Sequence, residues 1–401
     1  MVEKSTNPDF MIKCKSAFVG GMKLKISELG TVITGNTPSK KIKEFWDKDD
    51  VGFVKPDIIS DEHIVRIKSE DCNEFISNAA ISKARIVPKN SIFVTCIGNI
   101  GKIGVATENL AFNQQINAII PHENVNLGYL SYAIFANKAK LQDIANAPIV
   151  PLLNKSQFSE FELDLDMDIN TQERIVHELN TVSNIILKYK QELLLLDELV
   201  RARFVEMFGD PVDNPMNWEK KKLKDIVTED CTISYGIVQT GEDQKEGVPV
   251  FRPVDIVNHI PKVEELKKTT DSISNRYKKT LLKGHELLIT VRANIADTFV
   301  AGEEYKGCNV GRGIVPIRTQ EDIILIEFLK CLIDNKHLND ILKSKAKGIT
   351  LIQLNMEDLR NIELIIPPID LQIDYLKYSR LIDKSRLLSN HSLFLTKSII
   401  F

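Results

Sequence analysis

The stretch SIFVTCIGNIGKIGV, residues 91–105, sets three glycines and a lysine between two β-branched runs, and its reading decides what kind of domain surrounds it. A P-loop needs four residues between its first glycine and the Gly-Lys pair, so that successive N–H groups curl round a phosphate, then a Ser or Thr for magnesium. Here two residues separate Gly98 from Gly101-Lys102, and Ile103 stands where the hydroxyl belongs. A dinucleotide fingerprint fails too, because it sets its first two glycines one residue apart and opens a helix directly behind them. The stretch reads as a glycine-rich β-hairpin.

The same hairpin recurs. SIFVTCIGNI (91–100) is echoed by ELLITVRANI (286–295), with Thr95 answered by Thr290. GFVKPDIIS (52–60) is echoed by VFRPVDIVN (250–258), FNQQINAIIP (112–121) by CNVGRGIVPI (308–317), and LLNKSQFSEFELDL (152–165) by QLNMEDLRNIELII (353–366). LKISEL (24–29) returns as LKDI (223–226). Five pairs in one order, each about 200 residues apart, mark a tandem duplication. The second hairpin keeps Asn294 and Ile295 but puts Ala293, Ala296 and Asp297 opposite Gly98, Gly101 and Lys102. A phosphate cradle would not survive that exchange; a repeated β-framework with divergent loops suits two sites for different versions of one kind of ligand.

Each copy has two parts. Residues 23–168 and 223–368 mix short β-branched runs with turn residues and one amphipathic helix each (LGYLSYAIFANKAKLQDI, 127–144; LIEFLKCLIDNKHLNDIL, 325–342), the pattern of an α+β domain. A long helix follows each. The first, 169–208, carries apolar residues at Ile175, Leu179, Val182, Ile186, Tyr189, Leu193, Leu196 and Val200, alternately four and three apart, which is a coiled-coil seam. It is stopped by Gly209-Asp210-Pro211, spans about 55 Å from its N-cap Thr171, and leads into a linker, 209–222. The second, 369–401, has a thinner seam at Leu371, Tyr378, Leu381, Leu388, Leu395 and Ile399, interrupted by Ser385 and Ser392. Core packing within one domain is the plainer reading of either helix alone. Two such helices, one after each domain, predict that they pair with each other as an antiparallel strut.

The totals narrow the class. At 401 residues the chain has room for two to four domains, and 43% apolar with 27% charged residues describes an ordinary globular protein. A net charge of −3 gives no overall basic signature, so nucleic-acid binding requires basic residues gathered on one face. Six scattered cysteines without a CxxC pair argue against a disulfide framework or zinc ribbon. No apolar run approaches the roughly 18 residues of a membrane helix, and Glu3 and Asp9 fall where a signal peptide would be apolar, so residence in the cytoplasm is expected.

From about Lys23 to the end the sequence resembles the specificity subunits of type I restriction-modification enzymes. Three features carry the resemblance: SIFVTCIGNIGKIGV followed by FNQQINAIIP; the junction LLNKSQFSEFELDL into NTQERIVHELNTV, repeated as QLNMEDLRNIELIIPPIDLQIDYL; and the helix end FVEMFGDPVDNPMNWEKKKL, 204–223. The first 22 residues have no counterpart and form an N-terminal extension. The resemblance implies that each α+β domain is a target-recognition domain reading one half of a split double-stranded DNA sequence, while the paired helices set the distance between halves. It implies no chemistry, catalytic residue, metal or cofactor in this chain. The expected partners are two adenine-methyltransferase subunits, which bring S-adenosylmethionine, and two restriction subunits, which bring ATP and magnesium.

Base reading calls for Arg or Lys at guanine edges and Asn or Gln at adenine edges, with Lys and Ser on phosphates. In the first domain Lys40, Lys41 and Lys43 are candidate backbone contacts, a solvated charge run being the plain alternative. Asn99 and Lys102 on the hairpin and Asn113, Gln114 and Gln115 before a strand are candidate readers, although such residues often only form turns. The second domain offers Arg252, Arg292, Asn294, Arg312, Lys343, Lys345 and Lys347, of which Arg292 and Arg312 fall in the loops equivalent to the hairpin and the NQQ segment.

Two other classes compete with this reading. For an enzyme, Asn214-Pro215-Met216 lacks the Pro-Pro-aromatic loop of an adenine methyltransferase, Asp213 with Glu219-x-Lys221 only mimics a nuclease site, and seven scattered histidines form no HExxH. A coiled-coil adaptor that binds protein and leaves DNA alone fits the near-neutral charge, and a methylation-only system would use the same domains.

Overall fold

Runs of two to six residues rich in Val, Ile and Phe, each bounded by Gly, Asn or Pro, fold as short strands here because the turn residues leave no room for longer ones. The structure, a computed structural model, describes residues 18, 21–145, 150–257, 261–348 and 352–399, with 257 and 389–399 as backbone alone. Most of the N-terminal extension thus lies outside the described residues; Phe18 packs its ring 4.9 Å from Tyr129. The chain divides into two compact units, residues 1–192 with 389–401, and residues 193–388.

In the first unit a five-stranded sheet runs in the order Gly30–Thr34, Ile116–Pro121, Ile92–Thr95, Ile103–Ala106, Val65–Ile67. All neighbours are antiparallel except the last pair. A four-stranded sheet, Phe75–Ile76, Val51–Val54, Leu110–Phe112, Ile86–Val87, has one parallel pair, which sets Phe53 beside Ala111. Helices α1 (Leu127–Ala136) and α2 (Lys138–Ile144) cover the larger sheet. The single helix expected over 127–144 is broken at Asn137, whose amide donates to Ala133 O at 2.9 Å while the backbone leaves the helical region at ψ 13°.

The long helix α3 (Ile169–Phe208) is continuous over 40 residues. Its Ile175, Leu179, Val182 and Ile186 are buried in the first unit's core with Tyr129, Leu130 and Tyr132. Gly128 allows this approach, since a Cβ there would lie 2.8 Å from Val176 Cγ1. These four seam positions therefore seal the α+β domain, each burial contributing about 1.5–3 kcal/mol; the plainer of the two readings holds for this half of the helix. Tyr189 is half-buried.

In the second unit the strand order Thr298–Ala301, Glu286–Thr290, Ile314–Ile317 repeats the core of the larger sheet, and Lys267–Thr269, Val248–Phe251, Asn309–Val310 repeats the smaller one. Helices α4 (Ile326–Asp334) and α5 (Lys336–Lys345) are again separated by an asparagine, Asn335, whose side chain accepts from the N–H groups of His337 and Leu338 and so starts a new helix. The end of α3 pairs with the start of α6 (Ile369–Ile399). Phe204 and Phe208 meet Tyr375 at 5.5 and 5.6 Å, Arg203 lies over Tyr378, and Asp197 binds Arg386 at 2.5 Å, so numbers rise on one helix as they fall on the other: the pairing is antiparallel. Leu193, Leu196 and Val200 are half-buried, but Leu381 and Leu388 are 61% and 67% exposed. The face α6 turns inward runs through Tyr375, Tyr378, Ile382 and Arg386, so Tyr378 of the predicted seam lies on it while Tyr375, Ile382 and Arg386 take the place of Leu381 and Leu388. The side chains of Leu395 and Ile399 lie outside the described residues.

Both hairpins follow one path. Thr95 Oγ1 donates to Asn99 O at 2.6 Å and accepts from the Lys102 N–H, and Thr290 makes the same bonds to Asn294 O and the Asp297 N–H. Gly98 and Gly101 take φ of 73° and 84°; Ala293 and Ala296 take 61° and 63°. A left-handed alanine costs about 1–2 kcal/mol, and glycine's extra freedom when unfolded returns part of that. Ala293 is exposed and loses no packing. Ala293→Gly is therefore expected to stabilise the second unit by about 0.5–1 kcal/mol, seen as a higher urea midpoint; a lower midpoint would show the position unstrained.

Candidate nucleic-acid interface

At one end of the first unit four loops are held together by backbone bonds. Asn36 N–H reaches Phe112 O at 3.0 Å, Cys96 N–H reaches Gln115 O at 2.8 Å, and Gly98 N–H reaches Pro151 O at 3.0 Å. The second unit repeats the set: Ile237 to Val310 and Val291 to Gly313, each at 2.8 Å, and Leu354 to Val291 at 2.9 Å. The hairpin, the turn before the next strand, the loop after the domain's opening segment and the segment before the junction thus form one surface in each copy.

The structure sorts the sequence candidates by what they already bind. In the first unit Asn99 and Gln114 are exposed, and Thr37 Oγ1 donates to Gln114 Oε1 at 2.5 Å. Asn113 is buried: its Oδ1 accepts from the Gln115 N–H and its amide donates to Gln115 Oε1, so this pair locks the turn and leaves Gln114 as the outward residue. Lys102 donates to Pro56 O at 3.1 Å from a half-buried position. Lys40 pairs with Glu74 at 3.0 Å and stands over the Trp46 ring, while Lys41 and Lys43 are exposed.

In the second unit Arg252 is clamped by both oxygens of Asp255 at 2.8 and 3.1 Å, and its N–H caps the same carboxylate. That engagement raises its already high pKa and makes it part of the fold. Asn113, Lys102 and Arg252 thus each bond within their own domain, Asn113 buried and the other two half-buried. Arg292 is different. Its Nε donates to Gln353 Oε1 at 2.7 Å, which aims the guanidinium, and Gly313 beside it lets the loop close on Pro253, since a Cβ there would lie 2.4 Å from Pro253 Cγ. Arg312 stands exposed over Tyr235, 6.0 Å from the ring centre. Asn294 is exposed at the tip. Lys343 and Lys345, at the carbonyl end of α5, and Lys347 are exposed beside the same segment. Burial pushes Asp297 up from the ordinary carboxylate range, with Lys343 opposing it.

Tyr235, Thr37 and Gln353 escaped the sequence reading. The signal was present, because Tyr235-Gly236 and Thr34-Gly35 occupy the same place in the two copies, and Gln353 directly precedes the Leu-Asn that answers Leu153-Asn154. The nuclease-like pattern resolves differently: Glu219 pairs with Lys221 at 3.6 Å, while Asp213 lies with Asp210 and His337, whose ring bonds Asp210 at 3.1 Å. Asp210 Oδ1 also accepts from the N–H groups of Val212 and Asp213, which fixes the turn that ends α3. No helix among the described residues is long and apolar enough to cross a membrane.

Two copies of one α+β module, each presenting a polar and cationic loop surface and each followed by a long helix, define a duplicated DNA-recognition protein. The family model for the type I restriction modification DNA specificity domain matches twice, over residues 20–195 and 215–384, and the chain belongs to that family. It is 27% identical over 380 residues to the type I restriction enzyme MjaIX specificity subunit of Methanocaldococcus jannaschii, covering 86% of this chain and 82% of that one. It is 35% identical over 142 residues to the HindI specificity subunit of Haemophilus influenzae, covering 34% and 30%. Among solved structures, the type I restriction-modification S subunit from M. genitalium superposes with a TM-score of 0.56 at 14% identity, covering 94% and 93% of the two chains, which shows a shared fold.

Proposed function

We propose that this chain is the non-catalytic sequence-reading subunit of a type I restriction-modification complex, with residues 23–168 and 223–368 each reading one half of a bipartite double-stranded DNA target. The observation that carries this is that like loops of the two copies carry different residues at two of three equivalent places. Ile97, Asn99 and Gln114 in the first copy stand where Arg292, Asn294 and Arg312 stand in the second. One scaffold that keeps an asparagine in both copies but carries two arginines only in the second suits two different half-sites. The phosphate contacts are Lys41 and Lys43 in the first copy and Lys343, Lys345 and Lys347 in the second. The helices hold the spacing and dock adenine-methyltransferase subunits, through which the restriction subunits join. Leu194, Leu195, Leu199 and Leu387, all exposed on the helices of the second unit, supply an apolar face for that docking.

The test is a map of methylated adenine across the source genome with and without this gene. A split motif with a fixed unspecified gap should lose its methylation on deletion. Unchanged methylation while a partner methyltransferase is expressed, together with DNA binding by the purified chain that ignores ionic strength, would move the adaptor reading ahead.

A further inference from the structure

The hairpin of the first unit rests on a charge pair that is not seen among the described residues of its counterpart. Lys138, the first residue of α2, is 5% exposed, and its amine binds the Asp61 carboxylate and, at 3.3 Å, the Asp61 carbonyl. The Asn99 side chain and the charge of Lys102 act on the same carboxylate and, with Lys138, draw its pKa below the ordinary range. Lysine reaches this place only because residue 101 is glycine: a Cβ there would sit 2.8 Å from Lys138 Cγ. In the second copy the equivalent residue is Ala296, buried, and the equivalent helix start is Lys336, which is exposed. Both hairpins also take a side-chain amide from the helix beneath, Gln142 donating to Ile100 O at 3.1 Å in the first copy and Asn339 to Ala296 O at 2.9 Å in the second.

We propose that Asp61 and Lys138 are positioning residues that fix the tip of the first hairpin, and with it the orientation of Asn99, so that they set the base preference of the first unit without touching DNA. This rests on the DNA-reading function proposed above. Burial raises the carboxyl of Asp61, but the hydrogen bond and charge of Lys138, the Asn99 amide and the charge of Lys102 outweigh it and hold the group ionised. A buried pair of this kind costs more to break than it gains when formed, which makes it a poor stabiliser and a good device for fixing one geometry.

The experiment uses the full chain assembled with its methyltransferase subunits and DNA with one half-site randomised at a time. In Asp61→Asn and Lys138→Met, discrimination at one position of the first half-site should fall about tenfold. The position should be the one lost in Asn99→Ala, with the second half-site and the salt slope unchanged. Equal loss at both half-sites, or an unchanged preference, would overturn the positioning role. A wild-type complex without sequence preference would instead overturn the function itself. If Asp61→Asn does not fold, Gly101→Ala reads the same contact, because its methyl displaces Lys138; retention of the wild-type preference in that variant would also sink the proposal.

Discussion

Replacing Phe208 by alanine is expected to destabilise the second unit by about 3–5 kcal/mol, the range for deleting a fully buried aromatic ring. Phe208 is 0% exposed and closes α3 against three other elements. Its ring lies 4.9 Å from Phe328 of α4, 5.6 Å from Tyr375 of α6, 6.5 Å from Trp218 of the linker and 5.2 Å from Phe204 one turn earlier. The loss is therefore both the transfer free energy of the ring and a cavity whose walls belong to separate segments and cannot collapse together. The chain has two tryptophans. Trp218, whose indole N–H donates to Phe208 O at 3.1 Å, reports on this cluster, and Trp46 can be removed as Trp46→Phe. Denaturant unfolding followed by Trp218 fluorescence should show the shift; a change below about 1 kcal/mol would mean that the site relaxes and the cluster is not the keystone of the unit.

Arg292→Ala should weaken binding to the preferred DNA by about 1–3 kcal/mol, roughly 5- to 150-fold, and relax one base pair of one half-site. The reason is geometric. Nε is held by Gln353, so the terminal nitrogens project as a fork that matches the O6 and N7 edge of guanine. Arg292→Lys should not rescue the preference, because an ammonium offers a point charge and no fork. Lys345→Ala makes the opposite pattern: affinity falls alike on all sequences and the salt slope drops by about 1. Competition binding against a panel of single-base variants separates the two, and a uniform loss for Arg292→Ala would end its assignment as a base reader.

Much of this arrangement was readable beforehand. The duplication was visible as repeated short segments, and the bounds of α3 coincide with the predicted 169–208 because Pro211 and Gly209 stop a helix locally. What the sequence hid was non-local. The heptad pattern of α3 serves two neighbours in turn, first its own domain at Ile175 to Ile186 and then α6, and periodicity alone does not say which surface an apolar stripe meets. The α6 register was read only in part: Leu371 and Tyr378 of the predicted seam turn inward, but so does Arg386, polar on paper, while Leu381 and Leu388 do not. The bonds of Asn113 and Arg252 to Gln115 and Asp255 were hidden too, because these partners meet only once the turn has formed.

The two hairpins share a backbone but not a floor, and this has a consequence for how recognition can be reshuffled. Moving the second tip into the first copy carries an alanine into the place of Gly101, against Lys138, so the transplanted loop arrives without the support it was shaped on. The heritable parcel is hairpin plus helix start, and a successful swap between copies or between relatives has to move both.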